Sequence, residues 1–233
     1  MSSAFDNSPL WLADNSAMTN GGCSFPTGRP QSVAVTVGLM PRGYRVVLIR
    51  NIEFEKYSAV VFGSRSVLLA DAEDLLRWRN SPSVAPFMFN DRPIHADEHE
   101  AWVSRILHDE PTALRRVFTA NDVPVGFFSL TSIDYSNKCC VWGGYLAPDV
   151  PRGQGVGRAM MDESLRIAFT ERGMHRVVVE AIVGNDRAIA LYESVGFKRE
   201  GVLRDRAEQQ SGFVDVVILG LLESEWIKPP SSS

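Results

Sequence analysis

Residues 152–157 form a glycine-rich loop of a kind that binds phosphate groups. Glycine lets the backbone turn tightly and approach a ligand closely. The free N–H groups at the start of the following helix, together with the helix dipole, favour an anionic phosphate at this point. The loop predicts a pyrophosphate site, although such a hexapeptide alone is also typical of a flexible strand-to-helix connection. Its residues are Arg152, Gly153, Gln154, Gly155, Val156 and Gly157.

Two other phosphate-binding motifs are excluded by the residues around this loop. The P-loop requires a lysine after its last glycine, whereas Arg158 follows Gly157. The dinucleotide-binding fingerprint follows the first strand of a parallel β-α-β unit, but this loop follows three runs with the pattern of an antiparallel meander. These predicted strands span residues 114–119, 125–133 and 139–146.

The elements that must position the loop alternate between strands and helices. Asn185 is suited to cap a helix and Gly196 to end it. Apolar periodicity and turn signals predict helices over residues 71–79, 97–107, 158–172 and 185–196. Further strands are predicted over residues 66–69, 176–183, 198–206 and 213–221.

The N-terminal part of the chain differs from the rest in composition. Residues 1–30 are rich in Ser, Asn, Gly and Pro, which predicts disorder. Strand-like runs at residues 32–37 and 45–49 are compatible with a hairpin at the edge of the domain, or with a segment that a different start site would leave out. We therefore predict an extension over residues 1–62, a folded domain over 63–228 and a flexible tail over 229–233.

The overall composition excludes several classes of protein. A net charge of −4 without a basic stripe argues against binding to nucleic acid. The three cysteines have neither disulfide nor metal spacing, and the four histidines form no zinc motif of the helical type. No apolar stretch is long enough to span a membrane. Hydrophobic residues make up 45% of the chain, which is typical of a globular protein. We therefore expect a cytoplasmic protein without a bound metal.

Two motifs together resemble those of the GNAT superfamily of N-acetyltransferases. Arg152, Gly155 and Gly157 match its R/Q-x-x-G-x-G/A pattern, and residues 185–197 match its second signature. The resemblance covers residues 66–226. It implies an α/β fold (α+β in some schemes) with a mixed, largely antiparallel sheet of about seven strands, split by a cofactor cleft and flanked by about four helices. It also implies acetyl-CoA as the acetyl donor.

The resemblance assigns roles to residues on both sides of this cleft. The pyrophosphate is expected on the amides of residues 154–158, including that of Arg158, and the pantetheine along the end of the preceding strand. Tyr192 matches the tyrosine that stands beside the thioester sulfur in many members. The other residues expected to face the cofactor are Tyr145, Leu146, Ala147, Asn185 and Ala188.

Acetyl transfer to an amine requires few catalytic groups. A neutral amine attacks the thioester directly, and a backbone N–H, here of Leu146 or Ala147, can polarise the carbonyl. The leaving thiolate needs a proton, which a tyrosine such as Tyr192 can donate because it is neutral near pH 7. Without the flanking signature, Tyr192 would be interpreted as a core aromatic residue of an amphipathic helix.

The N-terminal half of the domain and the end of the chain resemble the GNAT branch that acetylates a UDP-linked 4-amino sugar in pseudaminic acid biosynthesis. By this resemblance Ser129 steers a water that takes the proton of the amine, with Thr131 on the same face of its strand. Glu180 is the rival base, unless it pairs with Arg176 or Arg187. Expected substrate-binding residues are Arg79 and His99 for phosphate oxygens and Met88 and Phe89, beside Phe87, for stacking, although each is also compatible with an ordinary structural role.

Three functions remain open from the sequence. The first is an N-acetyltransferase for a nucleotide-linked amino sugar. The second is an N-acetyltransferase for the N-termini of ribosomal proteins or for polyamines, which shares a similar first helix and C-terminal half. The third is a non-catalytic module that binds acetyl-CoA, against which the presence of both Tyr192 and the loop argues. The expected partner is a small-molecule acceptor, and a homodimer is a compatible assembly.

Overall fold

A computed structural model describes residues 37–39, 45–51, 56–107 and 110–228. The described strands are β1 (Val37–Leu39), β2 (Arg45–Asn51), β3 (Lys56–Ser66), β4 (Leu114–Ala120), β5 (Val123–Asp134), β6 (Cys139–Leu146), β7 (Arg176–Ile182), β8 (Lys198–Gln209) and β9 (Gly212–Leu222). The described α-helices are α1 (Ala72–Arg79), α2 (Ala96–Ile106), α3 (Val156–Arg166) and α4 (Asp186–Val195).

The nine strands form one sheet in the order β1-β2-β3-β4-β5-β6-β7-β9-β8. All neighbours are antiparallel except β6 and β7, which run parallel. The seven strands from β3 to β9, with four α-helices, confirm the predicted fold class. The predicted run at 45–49 lies in β2, which pairs with β3. Of the predicted run at 32–37, only Val37 lies within the described residues. The predicted disorder of residues 1–30 falls entirely outside them.

The parallel pair β6 and β7 separates along its length. Their register runs from Cys139↔Arg176 to Trp142↔Val179 and then ends, whereas the pairing of β6 with β5 continues to Leu146. The last residues of β6 are therefore bonded on one side only. This divergence opens a cleft in the middle of the sheet, where the resemblance implied one.

Helices cover the two faces of the sheet in pairs. Phe127 on β5 packs against Trp102 of α2, with ring centroids 5.8 Å apart. Trp142 on β6 packs against Tyr192 of α4, with ring centroids 5.7 Å apart. The side chain of Trp142 points away from the face that carries Phe127, because Phe127 pairs with Tyr145, three residues further along β6. Helices α1 and α2 thus lie on one face, and α3 and α4 on the other.

The predicted strand at residues 66–69 is wrong. Strand β3 ends at Ser66, and a 3₁₀ turn over Leu69–Asp71 leads into α1. The Asp71 carboxylate accepts the N–H of Leu68 at 2.8 Å and pairs with the Arg65 guanidinium at 2.7 Å. Both bonds turn the chain, so the apolar Leu68 and Leu69 remain exposed instead of continuing a strand.

The segment between α1 and α2 is attached to the far end of the sheet. The Gln209 side chain at the end of β8 donates to the carbonyl oxygens of Met88, at 2.7 Å, and Pro86, at 3.1 Å. The N–H of Gln210 donates to the Asp91 carboxylate at 2.9 Å. The segment formed by residues 85–91 is therefore held over the sheet by the tip of the β8–β9 hairpin.

None of the described helices is long and apolar enough to cross a membrane.

Candidate active site

The cleft between β6 and β7 contains a cavity of about 560 Å³. Residues from the end of β6, the glycine-rich loop, Gly184 after β7, and α4 line it together with Ser83, Val84, Phe87 and Met88. Of the residues predicted to bind the cofactor, those that line the cavity are Tyr145, Leu146, Arg152, Gly153, Gly155, Val156, Gly157, Arg158, Asn185, Ala188 and Tyr192. Ala147 and Gln154 lie outside its lining.

The glycine-rich loop offers free backbone donors to this cavity. Gly153 and Gly155 have φ values of 80° and 78°, in the left-handed region that favours glycine. The first hydrogen bond of α3 runs from the N–H of Ala159 to the Gly155 oxygen, at 2.9 Å. The N–H groups of residues 156–158 therefore have no acceptor within the helix, and they suit a phosphate group.

Arginine side chains add positive charge around these donors. Arg152 and Arg187 both line the cavity. Burial and the nearby charge of Arg187 lower the pKa of Arg152 below its usual value. Two guanidinium groups that disfavour each other's charge are stabilised by an anion between them. The residues present therefore fit the pyrophosphate and phosphate groups of coenzyme A.

The ladder between β5 and β6 determines which backbone N–H faces the cleft. Ala147 donates its N–H to the Val125 oxygen at 2.9 Å, so this group is not available to a ligand. Hydrogen-bonded and non-hydrogen-bonded pairs alternate in an antiparallel ladder. The N–H of Leu146 therefore points away from β5, towards the side on which β7 has separated. Of the two residues that the sequence left open, Leu146 is the one placed to polarise a carbonyl.

Tyr192 lies on the face of α4 that packs on the sheet. It is 7% exposed and lines the cavity, and its ring contacts those of Trp142 and Phe197. Burial raises the pKa of Tyr192 well above its usual value, so the phenol stays protonated at neutral pH. Asn185 fixes the start of this helix by accepting the Ala188 N–H at 3.3 Å. The hydroxyl is thus held in the form that can donate a proton.

Four residues of the segment between α1 and α2 line the cavity: Ser83, Val84, Phe87 and the predicted substrate residue Met88. Phe89 lies outside the lining, where the Arg206 guanidinium stands 5.3 Å from the centroid of its ring. Arg79 is also outside the lining. It donates to the Asn90 oxygen, burial lowers its pKa, and its Nη1 is buried without a hydrogen-bond partner among the described residues.

His99, which was predicted to bind substrate, lies between two helices and outside the cavity lining. Its Nε2 lies 2.8 Å from the Ala72 oxygen, and its ring packs against Trp102. The side chain is buried between α1 and α2, and burial lowers its pKa. These contacts join the two helices, and His99 does not reach the cavity.

The three polar residues predicted on the strands share the face covered by α1 and α2. Ser129 is paired with Gly143 and Thr131 with Val141, while Val141 is paired with Val178, two residues before Glu180. The Thr131 hydroxyl donates to the Val141 oxygen at 3.4 Å. Ser129, Thr131 and Glu180 do not line the cavity, but their side chains point to the face on which residues 83–88 stand.

Glu180 has a partner that the sequence did not suggest. Its carboxylate lies 3.5 Å from the Arg206 guanidinium, while Arg176 pairs with Glu200 at 2.7 Å. The sequence also missed Trp142, Arg187 and Gln209 as residues of the site or its border. Arg187 could have been found from its position two residues after the helix cap. The places of Arg206 and Gln209 depend on contacts between distant parts of the chain, for which no local signal exists.

No group of three or more metal-ligating side chains lies close enough to hold a metal in the part of the chain that the structure describes.

Comparisons with known proteins agree with this geometry. The family model of the acetyltransferase (GNAT) domain matches residues 65–198, more than half of the chain. The spermidine N(1)-acetyltransferase of Vibrio cholerae is 24% identical over 163 residues, which cover 70% of this chain and 94% of that protein. The acetyltransferase PseH of Campylobacter jejuni is 25% identical over 127 residues, which cover 54% and 76%.

The same fold occurs in solved structures. The crystal structure of the Vibrio cholerae spermidine N-acetyltransferase in complex with CoA and spermine superposes with a TM-score of 0.65 at 24% identity, covering 72% of this chain and 98% of that chain. The acetyl donor is acetyl-CoA, and the enzyme is an acetyl-CoA-dependent N-acetyltransferase. With its glycine-rich loop, split sheet and matching family model, the chain belongs to the GNAT family of acetyltransferases.

Proposed function

We propose that this chain transfers the acetyl group to a primary amine of a small molecule, by direct attack in a ternary complex. The observation that supports it most is that the cavity joins the two faces of the sheet. The loop and α4 border it on one face, and Ser83, Val84, Phe87 and Met88, which follow α1, border it on the other. Donor and acceptor can therefore approach each other through the gap between β6 and β7.

The residues of the chain can serve each part of this reaction. The Leu146 N–H polarises the thioester carbonyl, and Tyr192 gives its proton to the sulfur as the C–S bond breaks and the N–C bond forms. Glu180, or a water held by Ser129, takes the proton that the amine nitrogen loses. Holding both reactants in one geometry supplies much of the rate.

For the acceptor, the first candidate is a UDP-linked 4-amino sugar. Phe87 and Phe89 offer exposed aromatic surface at the acceptor side, which suits a nucleotide base. Arg79 stands on the same side and provides donors for phosphate oxygens. The PseH relative supports this candidate through its similarity to the chain.

The second candidate is a polyamine. The spermidine N(1)-acetyltransferase of Vibrio cholerae is similar over nearly its whole length, and Glu180 offers a carboxylate for an ammonium group. The related proposal of an N-terminal acetyltransferase for ribosomal proteins requires a peptide to enter the same opening. A non-catalytic module remains less well supported, because Tyr192 lines the cavity with its proton retained.

A thermal-shift screen distinguishes the two acceptor candidates. A ligand present at 100 times its Kd stabilises the folded protein by about 2.7 kcal/mol. We expect UDP-linked amino sugars to raise the Tm of the coenzyme A complex, since the base and the phosphates both find partners. Stabilisation by spermidine and not by UDP-sugars would replace the first candidate with the second. UDP alone and acetylated spermidine serve as the matched controls.

A further inference from the structure

Three side chains from distant parts of the chain meet beside the acceptor side of the cleft. The Arg206 guanidinium lies 5.3 Å from the centroid of the Phe89 ring and 3.5 Å from the Glu180 carboxylate. Phe89 belongs to the segment of residues 85–91, Glu180 to β7 and Arg206 to β8. We refer to Phe89, Glu180 and Arg206 as the cation cluster.

An irregularity in β8 aims Arg206 at this position. The register with β9 shifts between Leu203 and Ala207, and Asp205 has a φ of 50°. The N–H of Asp205 donates to the Asp215 carboxylate at 2.9 Å, which holds this strained residue in place. A bulge of this kind redirects a side chain out of the regular ladder. Arg206 therefore reaches across β9 to the Glu180 carboxylate on β7.

The cation cluster lies beside the cleft between β6 and β7. Glu180 is the first residue of β7 after its last pair with β6, at the start of the cleft. Met88, next to Phe89 in the chain, lines the cavity, whereas Glu180 and Phe89 do not. Gln209 and Gln210 fix the two segments to each other close to this point. Arg206 thus occupies the space between the cavity side of the segment and the carboxylate.

A carboxylate beside an aromatic ring is a binding site for an organic cation. The carboxylate provides charge-assisted acceptors, and the face of the ring attracts a cation through its quadrupole. Here that site holds a guanidinium of the chain itself. The Arg206 side chain is 46% exposed, and ion pairs of such exposure are weak, so an incoming cation can displace it.

We propose that Glu180 and Phe89 form the binding site for the ammonium group of the acceptor, and that Arg206 is a gate residue that fills this site until the acceptor displaces it. The inference rests on the proposed function, since it requires an acceptor with a primary amine. Polyamines and amino sugars share this ammonium chemistry. In either case the ammonium group replaces the Arg206 guanidinium between Glu180 and Phe89.

The test is Arg206→Met, which keeps the length of the side chain and removes its charge. When an internal group occupies a site, the apparent Kd equals the intrinsic Kd divided by the fraction of molecules in which the site is open. We expect the KM for spermidine, and that for a UDP-linked 4-amino sugar, to fall about three- to five-fold. The KM for acetyl-CoA should stay at its wild-type value. Arg204→Met, at an exposed arginine of the same strand, is the matched control and should change neither constant.

An unchanged or higher KM for spermidine in Arg206→Met overturns the gate. A higher KM confined to the UDP-linked sugar overturns it as well, because Arg206 would then bind the acceptor directly. Glu180→Gln should raise the KM for either amine, and an unchanged value removes Glu180 from the ammonium site.

The proposed function is tested separately, by acetyl transfer to either amine in the wild type. If neither amine is acetylated, the proposed function is wrong. The role of Arg206 as a gate residue can still be tested by measuring the binding of spermidine. Spermidine, followed by thermal shift with coenzyme A present, must then stabilise Arg206→Met at lower concentrations than wild type, and equal concentrations reject the inference.

Discussion

Tyr192→Phe is expected to lower kcat by about 100-fold or more, the range that general acid catalysis contributes in enzymes. The substitution removes the only group of this side chain that can donate a proton to the leaving sulfur. The Kd for acetyl-CoA should change little, because the ring stays in place. Steady-state release of free thiol gives kcat, and calorimetric titration with coenzyme A gives the Kd.

The pH dependence of the wild-type enzyme gives a second readout of this role. Burial raises the pKa of Tyr192 above the ordinary value of 10.0, so its proton is retained at higher pH than that of an exposed tyrosine. A group whose pKa is raised in the folded protein is protonated at its usual pKa, and it loses the proton only when the pH reaches the raised pKa. The kcat of the wild type should therefore not fall between pH 8 and 10 through loss of the acid.

The control for this substitution is Tyr135→Phe. Tyr135 is 48% exposed, and its hydroxyl accepts a hydrogen bond from Arg172 at 3.1 Å, outside the cavity lining. Both variants lose one hydroxyl, but only Tyr192→Phe should lose turnover. The Tm should be nearly the same for both, since the contacts of the Tyr192 ring with Trp142 and Phe197 do not involve the hydroxyl. Full turnover in Tyr192→Phe would remove the residue from the mechanism.

The strands and helices from β4 onwards could be predicted because their signals are local. Alternating burial in β6, the cap at Asn185 and the glycine at residue 196 each depend on a few neighbouring residues. The start of the domain could not be predicted in this way. The apolar residues Val67, Leu68 and Leu69 resemble a strand, but the Asp71 carboxylate, held by Arg65, turns the chain there.

The donor half and the acceptor half of the site differ in how far apart their residues lie in the chain. The loop at residues 152–157 and the signature at 185–197 are continuous in the chain, and residues of both line the cavity. The acceptor side brings together residues that lie far apart. Phe89 and Arg206 are separated by 117 positions, and their contact depends on a bulge that β9 stabilises. The sequence suggested Arg176 or Arg187 as the partner of Glu180, because only local distances could be weighed.

This difference explains why the donor is better defined than the acceptor. The proposed site for coenzyme A consists of backbone N–H groups and glycines, whose geometry is encoded in a short motif. The proposed acceptor site consists of side chains that several elements contribute. The experiments on Arg206 and the ligand screen therefore address the part of the site that similarity does not define.

Gly155→Asp is expected to abolish coenzyme A binding while the protein stays folded. The φ of Gly155 is 78°, a conformation that aspartate tolerates better than most residues, and an added Cβ would meet no atom within 4 Å. The new carboxylate would stand at the N-cap of α3, beside the free N–H groups of residues 156–158. There it can accept the same donors that bind the pyrophosphate, and it repels the phosphates. We expect the Kd for coenzyme A to rise more than about 100-fold, measured by calorimetric titration.

The stability of this variant separates the effect on binding from an effect on folding. An acidic residue at a helix N-terminus is favourable, which offsets the strain of its left-handed backbone, so the Tm should change little. Gly155→Asn adds a side chain of the same shape without the charge and should weaken binding much less. Gly173→Asp, with a φ of 66° and no atom within 4 Å of an added Cβ, imposes the same backbone demand outside the cavity lining. It should bind coenzyme A normally, and normal binding by Gly155→Asp would mean that the loop does not hold the phosphates.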